Sequence, residues 1–203
     1  MIDFEVATHT YRDTATGLVI PSVTTVIRES GMMDGAEFFT ESARLRGTAV
    51  HAACHYLDEG DLDESWAERN EQLAGYLRAW QRFKVEARFQ PKLIEHRVSS
   101  PLGYAGTLDR TGILGASEVV NALIDLKTGP HQRWHAIQSA AYAGAIEKPR
   151  RFRRLTVRLD ADGGYDVIEH PSARYTEDFT VFLAALKLHQ WRANGSTANH
   201  DRA

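Results

Sequence analysis

Cysteine is nearly absent from this sequence, which has only Cys54 among its 203 residues. A single thiol excludes an intrachain disulfide, a four-cysteine zinc site and an iron–sulfur cluster, because each of these needs more than one cysteine. Cys54 lies among small apolar residues of a predicted helix. A packed thiol is therefore favoured there over a catalytic nucleophile.

Long apolar runs, internal repeats and low-complexity segments are missing as well. No stretch approaches the ~20 apolar residues that cross a bilayer, and the N-terminal residues lack the basic and apolar regions of a secretory signal. With 43% apolar and 25% charged residues, the composition predicts one globular domain over residues 1–203. We expect it to be soluble and cytoplasmic, with no membrane partner.

Positive charge is scarce in the first third of the chain and enriched afterwards. Residues 1–70 carry a net charge of −8, and residues 71–203 a net charge of +5. The densest basic segment, residues 148–154, fits a solvated linker, but its arginines also suit phosphate oxygens through bidentate hydrogen bonds. On the second interpretation, Arg151 and Arg154 contact DNA.

Hydrophobic periodicity and turn signals predict a mixed α/β fold, in which helices flank a mixed sheet. We expect a mainly helical part over residues 1–90, a sheet core over 91–170 and a C-terminal helix over 175–193. The predicted helices are a short one capped by Ser22, then 36–58, 64–89, 132–147 and 175–193. The predicted strands are a hairpin over 4–20, then 92–99, 103–114, 119–128, 152–160 and 165–170.

Two strands between residues 103 and 129 contain the residues that indicate chemistry. A turn centred at Ser117 places Asp109 directly opposite Asp125, and side-chain alternation puts Lys127 on the same face as Asp125. Two adjacent carboxylates repel each other unless a cation lies between them, and Mg²⁺ or Mn²⁺ suits oxygen ligands. Taken alone, the D-x-K triplet also fits an ordinary surface Asp–Lys pair.

Four motifs in order make the sequence resemble the PD-(D/E)XK nuclease superfamily, and within it the RecB-like and lambda-exonuclease-like group. The motifs are G-x-x-x-H at residues 47–51, G-x-x-D at 106–109, (D/E)-x-K at 125–127 and Q-x-x-x-Y at 138–142. The resemblance covers roughly residues 20–160. Each motif is weak alone, whereas four in this order and spacing are specific.

The resemblance implies a restriction-endonuclease-like core with the element order α-β-β-β-α-β. It also implies a Mg²⁺- or Mn²⁺-dependent nuclease that acts on DNA, without the four-cysteine cluster of the CRISPR-associated branch. Carried over by position, the catalytic residues are Asp109, Asp125 and Lys127. The implied metal ligands are His51, Asp109, Asp125, the backbone carbonyl of Leu126 and, in some members, an acid at the position of Glu95.

His51 and the helix after the third strand of the sheet each admit two interpretations. His51 and His55 have a zinc-binding spacing, but a metalloprotease needs Glu at position 52, which is Ala, so the alternatives are a metal ligand and a structural histidine. The helix places His131, His135, Gln138 and Tyr142 on one face. That face fits phosphate contacts and base stacking, or an ordinary solvent-facing helix with a half-buried tyrosine.

The function that these expectations favour is phosphodiester hydrolysis, by an exonuclease of recombination, repair or phage replication in a bacterial or phage-infected cell. A homo-oligomer, or a partner protein from recombination or replication, is consistent with that role. The alternatives are a nuclease-fold module that binds DNA without cleaving it, and an interaction domain in which the motif matches are accidental.

Overall fold

The computed structural model describes residues 2–5, 8, 10–33, 40–63, 65–115 and 120–198, without the side chains of residues 67, 68 and 195–198. Its strands are β1 (Ile2–Glu5), β2 (Thr10–Asp13), β3 (Val19–Ile20), β4 (Gln90–Ser100), β5 (Tyr104–Leu114), β6 (Val120–Lys127), β7 (Phe152–Leu159) and β8 (Tyr165–His170). Its helices are α1 (Val23–Glu29), α2 (Glu41–Glu59), α3 (Trp66–Arg69), α4 (Glu71–Glu86), α5 (Trp134–Gly144) and α6 (Tyr175–Ala198).

Strands β4 to β8 form a mixed sheet in sequence order. Neighbouring strands are antiparallel except β6 and β7, which run parallel and are joined through α5. A parallel pair needs such a crossover because its strands begin at the same edge. The predicted mixed sheet with flanking helices, and its order α-β-β-β-α-β from α4 to β7, are confirmed.

Helix starts follow local capping chemistry. The Ser22 hydroxyl accepts a hydrogen bond from the Thr25 amide at the start of α1 (3.0 Å), as predicted, and Thr40 does the same for the Ala43 amide at the start of α2 (3.1 Å). Helix α2 ends at Gly60, whose φ of 75° lies in the left-handed region that glycine adopts at low cost.

Two apolar clusters cover the two faces of the sheet. One joins α1, α5 and α6, and the other joins α2 and α4 to the opposite side of β6 and β7. In α4 the side chains of Tyr76, Leu77, Trp80 and Phe83, which recur at helical spacing, are buried in the second cluster. Cys54 is buried in the same cluster, and burial raises the pKa of its thiol to about 12, as expected for a packed thiol.

Several element boundaries differ from the sequence prediction. The 4–20 hairpin corresponds to β2 and β3, to which β1 adds a third antiparallel strand. The 64–89 helix is divided into α3 and α4 at Asn70, whose backbone is not helical. The last helix extends to Ala198, beyond its predicted end at 193. The first four residues of the predicted 36–58 helix, residue 64 and the turn residues 116–119 lie outside the described residues.

Among the described helices, none combines the length and apolar character that crossing a bilayer requires.

Candidate functional site

The strand register brings three acidic residues into one row across the sheet. Strands β5 and β6 pair Arg110 with Ile124, the register that a turn centred at residue 117 predicts, and Asp109 and Asp125 come next in it. The neighbouring β4–β5 pairs place Glu95 opposite Asp109. Glu95, Asp109 and Asp125 therefore lie on adjacent strands at one level of the sheet.

Helix α2 adds an imidazole to this row. His51 Nδ1 lies 3.6 Å from Asp109 Oδ1 and 3.7 Å from Glu95 Oε1, and ligand atoms of all three residues lie within 4.8 Å of one another. His51 Nε2 donates a hydrogen bond to the Leu126 carbonyl (3.1 Å). This contact turns Nδ1 towards the two carboxylates. The structure thus brings together three of the predicted ligands, and the Leu126 carbonyl orients the imidazole from its other side.

Asp109 is fixed from the neighbouring strand. The Leu126 amide donates a hydrogen bond to Asp109 Oδ2 (2.6 Å). A charged acceptor makes this a comparatively strong bond. The arrangement leaves Oδ1 as the oxygen that faces His51.

Asp125 stands slightly apart from the His51–Glu95–Asp109 group and has a different partner. Its Oδ2 lies 2.7 Å from Lys127 Nζ, and Lys127 also lies 5.7 Å from the ring centre of Trp134. The predicted shared face of Asp125 and Lys127 on β6 is therefore observed as an ion pair. Ile124 and Leu126, which alternate with Asp125 along β6, are both fully buried in the cluster with α2 and α4.

The protonation properties of the cluster reflect its crowding. Burial, together with repulsion from Asp125 and Glu95, raises the pKa of Asp109 to about 6. Burial opposes protonation of His51, but the charges of Asp109 and Glu95 outweigh it and raise the His51 pKa to about 8. Burial would raise the pKa of Glu95, yet His51 and Arg110 hold it below its ordinary value. The cluster therefore favours a bound positive charge.

The donor set fits a hard or borderline divalent cation. One imidazole nitrogen and two carboxylates converge, with a backbone carbonyl next to the imidazole, and Asp125 lies in the same row. Oxygen-rich sites with one imidazole suit Mg²⁺ and, more readily, Mn²⁺. No thiol belongs to the cluster.

Gly106 of the G-x-x-D motif and Tyr142 of the Q-x-x-x-Y motif pack against each other beside Asp109 and Asp125. A Cβ atom on Gly106 would lie 2.6 Å from Tyr142 Cε1, so only glycine lets the ring pack there. Burial and the charges of Asp125 and Asp109 raise the pKa of Tyr142 well above its ordinary value. Gly47 has no comparable steric reason, because a Cβ there would make only an ordinary contact with Thr128.

The predicted polar face of α5 is buried beside the site. Gln138 Nε2 lies within 3.4 Å of the Tyr142 hydroxyl, and both side chains are buried in the described structure, as is His135. Burial and the charge of Lys127 lower the pKa of His135 to about 3, so it stays neutral. His131 precedes the helix and pairs with Asp166 (3.2 Å). The prediction of a solvent-facing helix with a half-buried tyrosine does not fit this placement.

Two predicted DNA contacts lie away from the site. Arg154 is buried and donates hydrogen bonds to Asp178 (2.7 Å) and to the Ala136 carbonyl (2.9 Å). Its guanidinium therefore binds groups inside the protein and not DNA. Arg151 is exposed but directly precedes β7, whose first residue pairs with Asn121 near the start of β6. The acids lie towards the other end of β6. We therefore do not carry Arg151 and Arg154 into the proposed interface.

A basic cavity of about 400 Å³ opens beside the cluster, and the sequence reasoning missed it. It lies between α1, α2 and the end of β6, and no acidic side chain is among its lining residues in the described part of the chain. Its cationic lining residues are Arg28, Arg44, Arg46 and Lys127, and Trp134 supplies an aromatic wall. The available signal was the position of Arg44 and Arg46 within the three residues that precede the G-x-x-x-H motif.

Comparisons with known proteins give limited similarity. No family model and no curated protein matches the sequence. The alkaline exonuclease LHK-Exo from Laribacter hongkongensis is similar, with a TM-score of 0.34 and 16% identity over 88% of this chain and 93% of that chain. LHK-Exo in complex with dAMP gives a TM-score of 0.31 and 15% identity over 89% and 94%. Similarity of this degree establishes neither activity nor substrate for this chain.

Proposed function

We propose that this chain is a metal-dependent nuclease of the PD-(D/E)XK superfamily, of the RecB-like and lambda-exonuclease-like group, which hydrolyses DNA phosphodiester bonds. The observation that carries the proposal is the acid row of Glu95, Asp109 and Asp125, which His51 completes from α2 beside Lys127. Residues of all four motifs that suggest the superfamily lie in or next to this row. All described elements would act as one nuclease domain inside the cell.

In the proposed site, His51, Glu95, Asp109 and Asp125 hold the cation, whereas the Leu126 carbonyl, which the resemblance implies as a ligand, lies at the other edge of the His51 ring. A bound Mg²⁺ or Mn²⁺ would supply an activated water and neutralise the charge that develops on the phosphoryl oxygens. The hydrogen bond from the Leu126 amide keeps Asp109 in place. The Leu126 carbonyl orients His51, since an imidazole held at one nitrogen presents the other.

Lys127 is the proposed catalytic lysine. Its ammonium group donates up to three hydrogen bonds and carries a positive charge at the edge of the acid row. When Asp125 serves the cation, Lys127 can donate to the attacking water or to a phosphoryl oxygen. A preorganised charge at this position stabilises the transition state more than the ground state.

The basic cavity is the proposed path of the DNA strand. Its arginines suit phosphate oxygens, and the Trp134 wall offers a surface for a base or sugar. Gln138, Tyr142 and His135 are buried beside the acids, where they would shape the floor of the site and so act on the bound strand indirectly, while His131 pairs with Asp166. A strand seated there passes directly in front of His51 and Lys127. We propose exonuclease action, as the motif resemblance suggests.

The decisive experiment compares linear and closed-circular DNA, single- and double-stranded, with Mg²⁺, Mn²⁺ or a chelator. We expect metal-dependent loss of linear DNA by the wild-type protein and none by Asp125→Asn, which removes a metal-binding charge while keeping the side-chain shape. Asp162→Asn is the matched control. Asp162 caps the β7–β8 turn through the Gly164 amide, an interaction that asparagine retains.

The outcomes separate the nuclease from the DNA-binding module. Cleavage by wild type and by Asp162→Asn but not by Asp125→Asn supports the nuclease. DNA binding without cleavage under any metal condition would identify a binding module instead. If Asp125→Asn cleaves at the wild-type rate, catalysis does not depend on this acid row and the proposal is wrong.

A further inference from the structure

Arg110 is a fully buried cation directly behind the acid row. Its Nε donates a hydrogen bond to Asp58 Oδ2 (2.7 Å), and its Nη1 donates to Glu95 Oε1 (2.9 Å) and to the backbone carbonyl of Asp109 (2.7 Å). One guanidinium group therefore bridges α2 and two strands of the sheet. A planar fork with several fixed donors is suited to such a bridge, and an ammonium group is not.

Asp58 anchors this guanidinium from the end of α2. The Asp58 side chain is fully buried and also accepts hydrogen bonds from Trp80 Nε1 (3.0 Å) and Lys84 Nζ (2.6 Å) of α4. Asp58 is thus held by its place on α2 and by two side chains of α4, and it in turn holds the Arg110 guanidinium. Buried charges persist only when they are paired and hydrogen-bonded in this way.

Glu95 has an unusual backbone at the other end of the bridge. Its φ is 44°, in the left-handed region, which costs a non-glycine residue about 1–2 kcal/mol. The same carboxylate oxygen that accepts from Arg110 faces His51 Nδ1. Arg110 lies 2.9 Å from this oxygen and His51 3.7 Å, so the guanidinium makes the closer of the two contacts.

We propose that Arg110 is a positioning residue of the metal centre, which holds the Glu95 carboxylate towards His51 and Asp109 and is itself held by Asp58. The inference rests on the proposed metal site. Among the proposed ligands, Arg110 contacts only the side chain of Glu95, since its bond to Asp109 is to the backbone carbonyl. Residues that orient metal ligands typically contribute about 10- to 100-fold to metal affinity.

Whether Arg110→Met weakens or tightens Mn²⁺ binding separates a positioning role from simple electrostatic repulsion. Arg110 is a cation near a cation site and shares an oxygen of Glu95. If it only repelled the metal or competed with it, Arg110→Met would tighten Mn²⁺ binding. Positioning requires the opposite, a loss of affinity, because Glu95 becomes free to leave the cluster.

The test is a double-mutant cycle on the full chain, with Mn²⁺ alone as the probe in titration calorimetry. In the wild-type background, Arg110→Met should weaken Mn²⁺ binding about tenfold or more. In a Glu95→Gln background, the same substitution should cause no further loss. Equal losses in both backgrounds would mean that Arg110 acts through the backbone of Asp109 or through general stability, and the proposal would be wrong.

Matched variants keep the experiment decisive if Arg110→Met does not fold. Arg110→Lys retains the charge beside Asp58 but cannot bridge to Glu95, so it should fold and still lose affinity. Arg154→Met removes another buried arginine with a buried carboxylate partner, whose hydrogen bonds reach none of the proposed metal ligands, and should leave Mn²⁺ affinity unchanged. Wild-type affinity in Arg110→Lys would overturn the inference.

The inference and the proposed nuclease can fail separately. If Glu95→Gln weakens Mn²⁺ binding but neither Arg110 variant does, the metal site stands and the positioning role falls. If the cycle shows coupling but no DNA is cleaved, the positioning role stands and the nuclease falls. If wild type binds no Mn²⁺, both are wrong.

Discussion

Asp109 should reduce the stability of the metal-free protein while being required for function. Burial and neighbouring acids raise its pKa from 3.8 to about 6, and one pKa unit corresponds to about 1.4 kcal/mol. Keeping this carboxylate ionised at neutral pH therefore costs the fold about 3 kcal/mol. This is an upper limit for the gain on removing the charge, because the same carboxylate helps to raise the pKa of His51 to about 8.

We expect Asp109→Asn to raise the free energy of unfolding by about 1–3 kcal/mol at pH 7.5 without metal. The amide oxygen can still accept from the Leu126 amide, so the main change is the loss of charge. The sign follows from linkage: a raised folded-state pKa means that stability is lost as pH rises through 3.8 to about 6. The gain from the substitution should therefore be small at pH 4.5 and full above pH 7.

Urea unfolding at the two pH values, with and without Mn²⁺, measures the effect. Mn²⁺ at 100 times its dissociation constant should stabilise wild type by about 2.7 kcal/mol and the variant hardly at all. The control is Asp178→Asn, which removes the partner of buried Arg154 and should destabilise the protein by about 3 kcal/mol or more. A destabilised Asp109→Asn, or a gain that is independent of pH, would refute the reasoning.

The other predictions concern the remaining side chains of the site. Lys127→Ala should lose most cleavage yet keep wild-type Mn²⁺ affinity by calorimetry, because a cation is not a ligand; loss of Mn²⁺ binding would contradict its role. His51→Ala should raise the metal concentration needed for cleavage, more for Mg²⁺ than for Mn²⁺, and an unchanged metal titration would return His51 to a structural role. Gln138→Ala and Tyr142→Phe should lower DNA affinity or turnover about 10- to 100-fold with metal affinity intact; wild-type behaviour of Tyr142→Phe would exclude its hydroxyl. Gly106→Ala should lower Tm and activity together, because its Cβ would overlap the Tyr142 ring; an unchanged Tm would show that the ring can move.

The acid row was predictable because it depends on local register. A turn centre at residue 117 fixes which residues of β5 and β6 face each other, and the observed pairing of Arg110 with Ile124 follows it. The capping of α1 by Ser22 was predictable for the same reason, since the cap bond spans three residues. Contacts between residues that are near in the sequence can be predicted because the residues between them set their geometry.

Partners distant in the sequence were not predictable. The basic run at 148–154 is the same in composition whether its arginines meet DNA or acids, and nothing nearby shows that Arg154 binds Asp178, 24 residues later. Arg110 was missed likewise, because its partner Asp58 lies 52 residues away on α2. A buried ion pair becomes visible only when packing brings both residues to one place.

The three acids of the row have three different cationic partners, and this division explains how the site can exist before metal arrives. Glu95 meets Arg110, Asp109 meets His51, and Asp125 meets Lys127. Unpaired, three carboxylates on adjacent strands would repel one another in a desolvated setting. The three partners respond differently to an incoming cation. The Arg110 guanidinium stays charged and fixed, the His51 imidazole can lose its proton, and the Lys127 ammonium can turn to another acceptor. A divalent cation can therefore replace the charge of His51 and take Asp125 from Lys127, while Arg110 remains as the fixed support of Glu95.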